Sequence, residues 1–432
     1  MVELLIFGSM IALLAFTRLP LGYILMFCGL AGIANLHPRG FGAALGIAEG
    51  QVLELAMNYQ FSVLPLFILM GVFVVRAGLA EELFTFARSL LGHRRGGIGL
   101  ATILACGGFS AMSASSSAAA ATMARIAVPE MEKVRYDSGF AAGTVAAGGT
   151  MGILIPPSSA LIIYALLTQL SVSQLFMAGA IPGLLQIGFY MLVMVVVGVV
   201  APSWAPHGAR STWRECLQAT TKIWGILLLF GVVMLGIVLG WFTATEAGGI
   251  GAGGALLFVA HRRKLTWKVL TDSLEETARI STMIFIVAAG AQVLNQFINF
   301  TGITGHTVDF INALALPSWA VILCLIGFYV LLGCLLDGFA MIFLTVPVIA
   351  PIVAALGYDL VWWGVVTVIV VEISLITPPV GLNVFILKAM LEDLPLVQIF
   401  KGILPFLLAD VLRLVLLLLF PALALWLPGI FG

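Results

Sequence analysis

Two proline pairs sit in apolar stretches 222 residues apart, Ile153-Leu154-Ile155-Pro156-Pro157-Ser158 and Leu375-Ile376-Thr377-Pro378-Pro379-Val380. A proline pair removes amide donors and clashes with the preceding turn, so neither stretch can be one uninterrupted α-helix. Each pair follows, at the same distance, a Tyr-Asp dipeptide (Tyr136-Asp137, Tyr358-Asp359) and a proline (Pro129, Pro351). Three features kept in register point to one unit present twice.

The surroundings decide what such a break means. Of 432 residues, 62% are hydrophobic and 9% charged, where soluble domains carry roughly 25% charged residues. The runs 189–200, 223–241 and 411–426, with their flanks, are long enough to cross a hydrocarbon core of ~30 Å. The expected fold class is an all-α polytopic membrane protein. In lipid, carbonyls freed by a break survive only where they are buried or line a polar cavity. Paired broken helices in two repeats point to the binding site of a secondary transporter.

Apolar runs predict helices at about 3–17, 19–36, 60–77, 138–170, 174–200, 223–241, 244–260, 282–299, 360–391 and 397–428. Leu79–Leu91 and Trp267–Ile280 interleave charged and apolar residues at helical spacing. They fit either interfacial helices or ordinary connecting ones. Met1 to Phe16 carries Glu3 in place of a basic start, so it reads as a retained first helix and not as a secretory signal. The cysteines Cys28, Cys106, Cys216, Cys324 and Cys334 show no C-x-x-C spacing and read as packing thiols. No G-x-x-x-x-G-K-[ST] stretch is present, so uphill movement would have to draw on an ion gradient.

Two regions of about forty residues, 97–134 and 317–357, each fall just before a broken helix. Between Ser110 and Ala124, thirteen of fifteen residues are Ala, Ser or Thr, which lets helix backbones approach closely in a membrane. Both regions read as re-entrant helical hairpins with tips near Ser113–Ser117 and Gly333–Phe339. The alternative is a pair of spanning helices with a short turn. Arg88, Arg94, Arg95, Arg125, Lys133 and Arg135 flank the first region, whereas Ile280 to Leu387 contains no Lys or Arg. By the positive-inside rule the first hairpin enters from the cytoplasm and the second from the opposite face. The repeats are expected to be inverted.

Oxygen ligands suit a hard cation such as Na⁺. One candidate sodium site combines Ser113, Ser115, Ser116 and Ser117 with Gly148, Gly149, Thr150 and Gly152. The second combines Gly333, Asp337, Thr377, Pro378 and Asn383. Pro156, Pro157, Ser158, Pro379 and Gly381 are the expected substrate-lining residues. Other roles stay open: serines as glue between helices, Asp337 as a helix cap, and Glu372 facing a polar partner helix. Thr243-Ala244-Thr245-Glu246 reads as an N-cap with an acid in the first turn. No catalytic residue is expected, because His37, His93, His207, His261 and His306 all lie at or near helix ends or loops. No cofactor is expected beyond sodium as the coupling ion.

Several stretches resemble the large membrane subunit of tripartite ATP-independent periplasmic (TRAP) transporters. They are Ile153 to Ser158, Leu375 to Asn383, Phe242 to Ala247, Ile126 to Met131 and Ala178 to Gly183. The resemblance runs from about residue 60 to the C-terminus, with Ala244 where the family usually has proline. It implies a bacterial or archaeal inner-membrane subunit working with a small four-helix membrane subunit, expected as a separate chain, and a periplasmic binding protein that delivers an organic acid. It also implies sodium coupling and an elevator motion. In that scheme residues 1–95 and 201–316 form the scaffold. Residues 96–200 and 317–432 form the two halves of the transport domain. A stand-alone sodium–carboxylate symporter and an anion channel are the rival readings.

Overall fold

The computed structural model describes residues 19–113, 115–313, 316–333 and 336–431. The expected first helix at 3–17, Cys334, and tip residues 114, 334 and 335 lie outside the described residues. Among the described residues the chain is all-helical and several helices are long and apolar enough to cross a membrane. It is a polytopic membrane protein.

The first half runs α1 (Leu21–Leu36), α2 (Gly40–Met57), α3 (Val63–Ala77), α4 (Leu79–Leu91), α5 (Gly97–Ser113), α6 (Ser116–Lys133), α7 (Ser138–Leu154), α8 (Ser159–Thr168) and α9 (Val172–Val200). The second runs α10 (Trp213–Lys222), α11 (Trp224–Val238), α12 (Ala244–His261), α13 (Trp267–Thr301), α14 (Ile303–Ala313), α15 (Ser318–Gly333), α16 (Gly338–Ala355), α17 (Leu360–Ser374), α18 (Leu382–Met390), α19 (Leu396–Leu419) and α20 (Ala422–Phe431).

Local chemistry sets these boundaries. Gly78, with φ of +79°, ends α3 in the left-handed conformation, which glycine adopts without a Cβ penalty. Helix α4 then opens with Glu81 and Glu82 in its first turn and closes with Arg88 in its last, complementing the helix dipole. Its Leu79, Ala80, Leu83, Phe84 and Ala87 are buried, the spacing of one apolar face. The Tyr-Asp pairs explain two helix starts. Asp137 accepts from Phe140 N–H at 2.8 Å to cap α7, and Asp359 accepts from Val361 N–H at 2.7 Å to cap α17. Ser115 and Asp337 cap α6 and α16 in the same way. These caps, the starts of α6 and α16, and the ends of α8 and α18 each lie 222 residues apart.

Some boundaries differ from expectation. Trp267–Ile280 and 282–299 form one 35-residue helix, α13, because Gly290 is the first glycine or proline after Trp267. The expected 397–428 helix divides at Phe420-Pro421, where proline disfavours helical backbone at the residue before it. Helix α2 was not expected, since glycines 40, 42, 46 and 50 blur its periodicity. The unexpected α10 has a signal that periodicity misses: Thr212 and Glu215 form a full capping box.

Two packing groups emerge. In one, α1 packs on α2 and α13, and α12 packs on α3 and α11. In the other, α7 packs against α5, α6, α17, α18 and α19, and α17 against α8, α9, α15, α16, α19 and α20. Helices α7 and α17 start at opposite ends of α19. A Cβ at Gly402, near the start of α19, would lie 2.1 Å from the Gly139 carbonyl oxygen at the start of α7. Trp362, at the start of α17, donates its indole N–H to the Leu417 carbonyl near the end of α19 at 3.2 Å.

The basic loops collect together. Arg262 holds both oxygens of Glu82 at 2.5 and 2.7 Å, Lys264 donates to the Ala77 carbonyl at 3.1 Å, and Arg88 reaches Glu130 at 2.6 Å. Lys133 bonds the same carboxylate at 2.5 Å. These contacts join α4 to the ends of α6 and α12, and the end of α3 to the segment after α12.

Candidate functional site

Each broken helix is met by the tip of the helix pair before it. On the first, residues 148–158 are all buried. A Cβ at Gly152 would lie 3.0 Å from the Ser115 carbonyl carbon and oxygen and 3.2 Å from the Ser116 amide, and one at Gly149 would lie 2.7 Å from Ala120 Cβ. Gly152 therefore meets Ser115 and Ser116 in direct backbone contact. Gly148 faces Cys106 instead. The Ser113 hydroxyl is buried with no hydrogen-bond partner among the described residues, and the Ser115 hydroxyl accepts from Ala118 N–H at 3.3 Å. Ser117 is half-buried. Thr150 turns away from the tip: its hydroxyl donates to the Ala147 carbonyl at 2.8 Å and accepts from Gln186 at 3.3 Å.

Ser158 stitches the first break closed. Its hydroxyl donates to the Ile153 carbonyl at the end of α7 and accepts from the Leu161 amide of α8 at 3.1 Å. It answers both unsatisfied helix ends that the two prolines create.

The second break is arranged differently. A Cβ at Gly333 would lie 2.1 Å from Ser374 Cβ, so the end of α15 presses on the end of α17. Asp337 is exposed as a residue, and its carboxylate accepts from Ala340 N–H at 2.7 Å. Thr377 donates to the Ile373 carbonyl at 2.6 Å. Asn383 is fully buried and crosses to the other broken helix, donating to the Ala146 carbonyl of α7 at 3.3 Å. Its side-chain oxygen has no partner among the described residues. Pro378 and Pro379 are exposed whereas Pro156 and Pro157 are buried, and Gly381 is buried with φ of +61°.

Sequence reasoning named Thr150 and Glu372 but did not assemble the buried polar cluster they belong to. Between α7, α9, α17 and α19 lie Thr150, Gln186, Tyr190, Glu372, Asp410 and Arg413, all at most 1% exposed. Arg413 Nη2 contacts Glu372 at 2.8 Å and Asp410 at 3.1 Å. Tyr190 donates to Asp410 at 2.5 Å, and Gln186 donates to the hydroxyls of Thr150 and Tyr190 at 3.3 and 3.4 Å. Glu372 does face a polar partner helix, α19. The signal was available: Asp410 and Arg413 sit one helical turn apart inside an apolar run, and ionisable residues there are functional candidates by default.

Broken helices met by the ends of the helix pairs before them, in an all-helical polytopic chain, are an arrangement found in membrane transporters. Residues 7–423 match the family described as "Tripartite ATP-independent periplasmic transporter, DctM component", and the chain belongs to that family. The match begins nearer the N-terminus than the motifs alone suggest. The chain is 34% identical to the C4-dicarboxylate TRAP transporter large permease protein DctM of Pseudomonas aeruginosa over 389 residues, 88% of this chain and 89% of that one. It is 30% identical to the sialic acid TRAP transporter large permease protein SiaM of Vibrio cholerae, covering 97% and 96% of the two chains. In fold it is similar to the Alcanivorax borkumensis YdaH transporter, with a TM-score of 0.64, 14% identity and 89% of each chain covered. The Thr243–Glu246 capping box expected from sequence is present, with Thr243 N–H donating to Glu246 at 2.8 Å.

Proposed function

We propose that this chain is the large permease of a sodium-coupled carrier that takes an organic acid across a bacterial inner membrane by an elevator motion. The observation that carries the reading is the pair of broken helices that start at opposite ends of α19. Each meets the preceding helix pair at its break. Together with helix boundaries 222 residues apart, this supports inverted repeats with α5–α6 and α15–α16 as re-entrant hairpins.

The packing groups support a scaffold containing α1–α3 and α11–α13 and a transport domain containing α5–α9 and α15–α20. We place the boundaries at 1–95 and 201–316 for the scaffold and 96–200 and 317–432 for the transport domain, with α4 packed on α5 across the first of them. Sodium would bind where each tip meets its break. The first site would use Ser113 to Ser117 and Gly148 to Gly152, and the second Gly333, Asp337, Thr377, Pro378 and Asn383. The buried, partnerless oxygens of Ser113 and Asn383 have the oxygen chemistry a hard cation takes. The breaks, at Pro156 to Ser158 and at Pro379 and Gly381, would line the substrate path. One break buried and one exposed is the asymmetry expected of a carrier in one state of its cycle.

Relatives named for C4-dicarboxylate, sialic acid and isethionate support an organic anion as the substrate class. The working assembly would add a small four-helix membrane subunit and a periplasmic binding protein. Each charge moved through 100 mV supplies about 2.3 kcal/mol, so two sodium ions with a monoanion would respond to both gradient and potential. In proteoliposomes holding this chain and its small partner, accumulation should require binding protein and an inward sodium gradient, and be indifferent to ATP. Robust uptake of free acid by this chain alone would identify a stand-alone symporter. Equilibration insensitive to sodium would identify a channel.

A further inference from the structure

The cluster of Glu372, Asp410 and Arg413 lies outside both proposed sodium sites, and its charges do not balance. Arginine stays protonated in proteins. With both carboxylates ionised the cluster would therefore hold one uncompensated negative charge, in side chains at most 1% exposed. An isolated buried charge is so unfavourable that the group takes up a proton or a counter-charge.

Among the described residues, the elements packed around the cluster offer it no second cation: on α6, which packs on α7, Arg125 is exposed and Lys133 pairs with Glu130. Helices α7, α16 and α20 have no charged residue. Helix α9 brings Tyr190, which already donates to Asp410. Helix α8 brings Tyr164, which donates to the Leu360 carbonyl, and α15 brings Tyr329, which accepts from Thr345. Helix α5 brings Cys106, which packs against Gly148. Lys388 of α18 donates to the Glu392 carbonyl, and Lys401 of α19 is exposed.

Hydrogen bonding shows the same deficit. Glu372 Oε1, Asp410 Oδ1 and Gln186 Oε1 are all buried acceptors without a matched donor among the described residues, and the Gln186 amide faces Glu372. A proton on Glu372 removes the excess charge and turns one of these acceptors into a donor. A sodium ion would instead have to share the space with the guanidinium of Arg413, whose Nε and Nη1 are themselves buried and unmatched.

We propose that Glu372 and Asp410 hold one proton between them inside the membrane, carried on Glu372, so that the cluster is a proton-binding site whose titrating groups are not among the proposed sodium ligands and which meets the first sodium site only through Thr150. With that proton the cluster is charge-balanced, and its contacts run from Glu372 through Arg413, Asp410, Tyr190 and Gln186 to Thr150, linking the two broken helices. As pH rises and the proton leaves, that link loses its charge balance and uptake falls.

The test uses the full chain in nanodiscs, without substrate, followed by infrared difference spectroscopy across a pH titration. Wild type should show the carbonyl stretch of one protonated buried carboxylic acid, absent from Glu372→Gln and retained in Glu392→Gln. In uptake assays Glu372→Gln should keep its rate at the alkaline pH where wild type slows. Yield offers a third reading that tolerates unstable variants. Glu372→Gln/Asp410→Asn should lower folded yield at least about tenfold by leaving Arg413 unpaired, and adding Arg413→Met should restore it. No protonated-carboxyl band in wild type overturns the proposal. So does a Glu372→Gln variant whose sodium requirement rises while its pH profile is unchanged, which would make the cluster a cation site. Because the infrared measurement needs no transport, its failure is distinct from failure of the carrier reading.

Discussion

Ser158 uses both capacities of one hydroxyl, donating to the end of α7 and accepting from the start of α8 in a wholly buried break. Ser158→Ala leaves a buried carbonyl and a buried amide without partners and should destabilise the protein by about 1–3 kcal/mol, read as a lower thermal midpoint. Gly152 acts by having no side chain. Gly152→Ala places a methyl 3.0 Å from the Ser115 carbonyl and should displace the tip, raising the sodium concentration for half-maximal uptake about tenfold, on the order of 1.4 kcal/mol. At the basic end, the hydrogen bond from Lys133, with Arg88 adding its charge, holds the Glu130 carboxyl below the usual carboxylate range. A lowered folded value means stabilisation present above the unfolded value of about 4.3 and lost as pH falls through the folded one. Because these partners are partly solvated, Glu130→Gln should cost about 1 kcal/mol or less at neutral pH. The difference from wild type should vanish in melts at strongly acidic pH.

Between elements, close approach of backbones does the work that large side chains do in soluble cores. Helices α7 and α19 touch through Gly139, Gly143 and Gly402, where an added Cβ at Gly402 meets a carbonyl oxygen at 2.1 Å. Gly402→Ala should therefore force the helices apart and destabilise by about 1–3 kcal/mol. Gly188 of α9 has open space around its Cβ position, so Gly188→Ala should instead stabilise by about 0.5–1 kcal/mol. Paired thermal melts in one detergent decide both, and a loss of equal size in the two variants would remove the packing explanation.

At the scale of the whole molecule, orientation is the testable property. The contacts of α4 with Arg262 and Glu130, and of Lys264 with the end of α3, put the basic loops on one end. Cysteines introduced at the exposed positions of His93 and His261 should label from the cytoplasm, and one at His306 from the periplasm. Labelling of the His93 and His306 positions from the same side would rule out the inverted arrangement. The interior is uneven: the first break is buried between helices while the second opens to the surface.

Much of this was legible in sequence because its causes are local. Proline pairs break helices wherever they fall, aspartates before α7 and α17 cap them, and low charge dictates a bilayer. The meeting of Ser115 and Ser116 with Gly152 followed from a small-residue helix pair preceding a glycine-rich helix end. Tertiary structure alone decided where the polar side chains point. Nothing in the order of residues tells that Thr150 turns from the hairpin toward Gln186, or that Asn383 reaches the Ala146 carbonyl of the other broken helix. Nor does it bring Glu372, Tyr190 and Arg413 together from three helices. Capping and helix breaking act within one turn of chain, whereas buried charges find partners across long sequence separations, set by how helices pack.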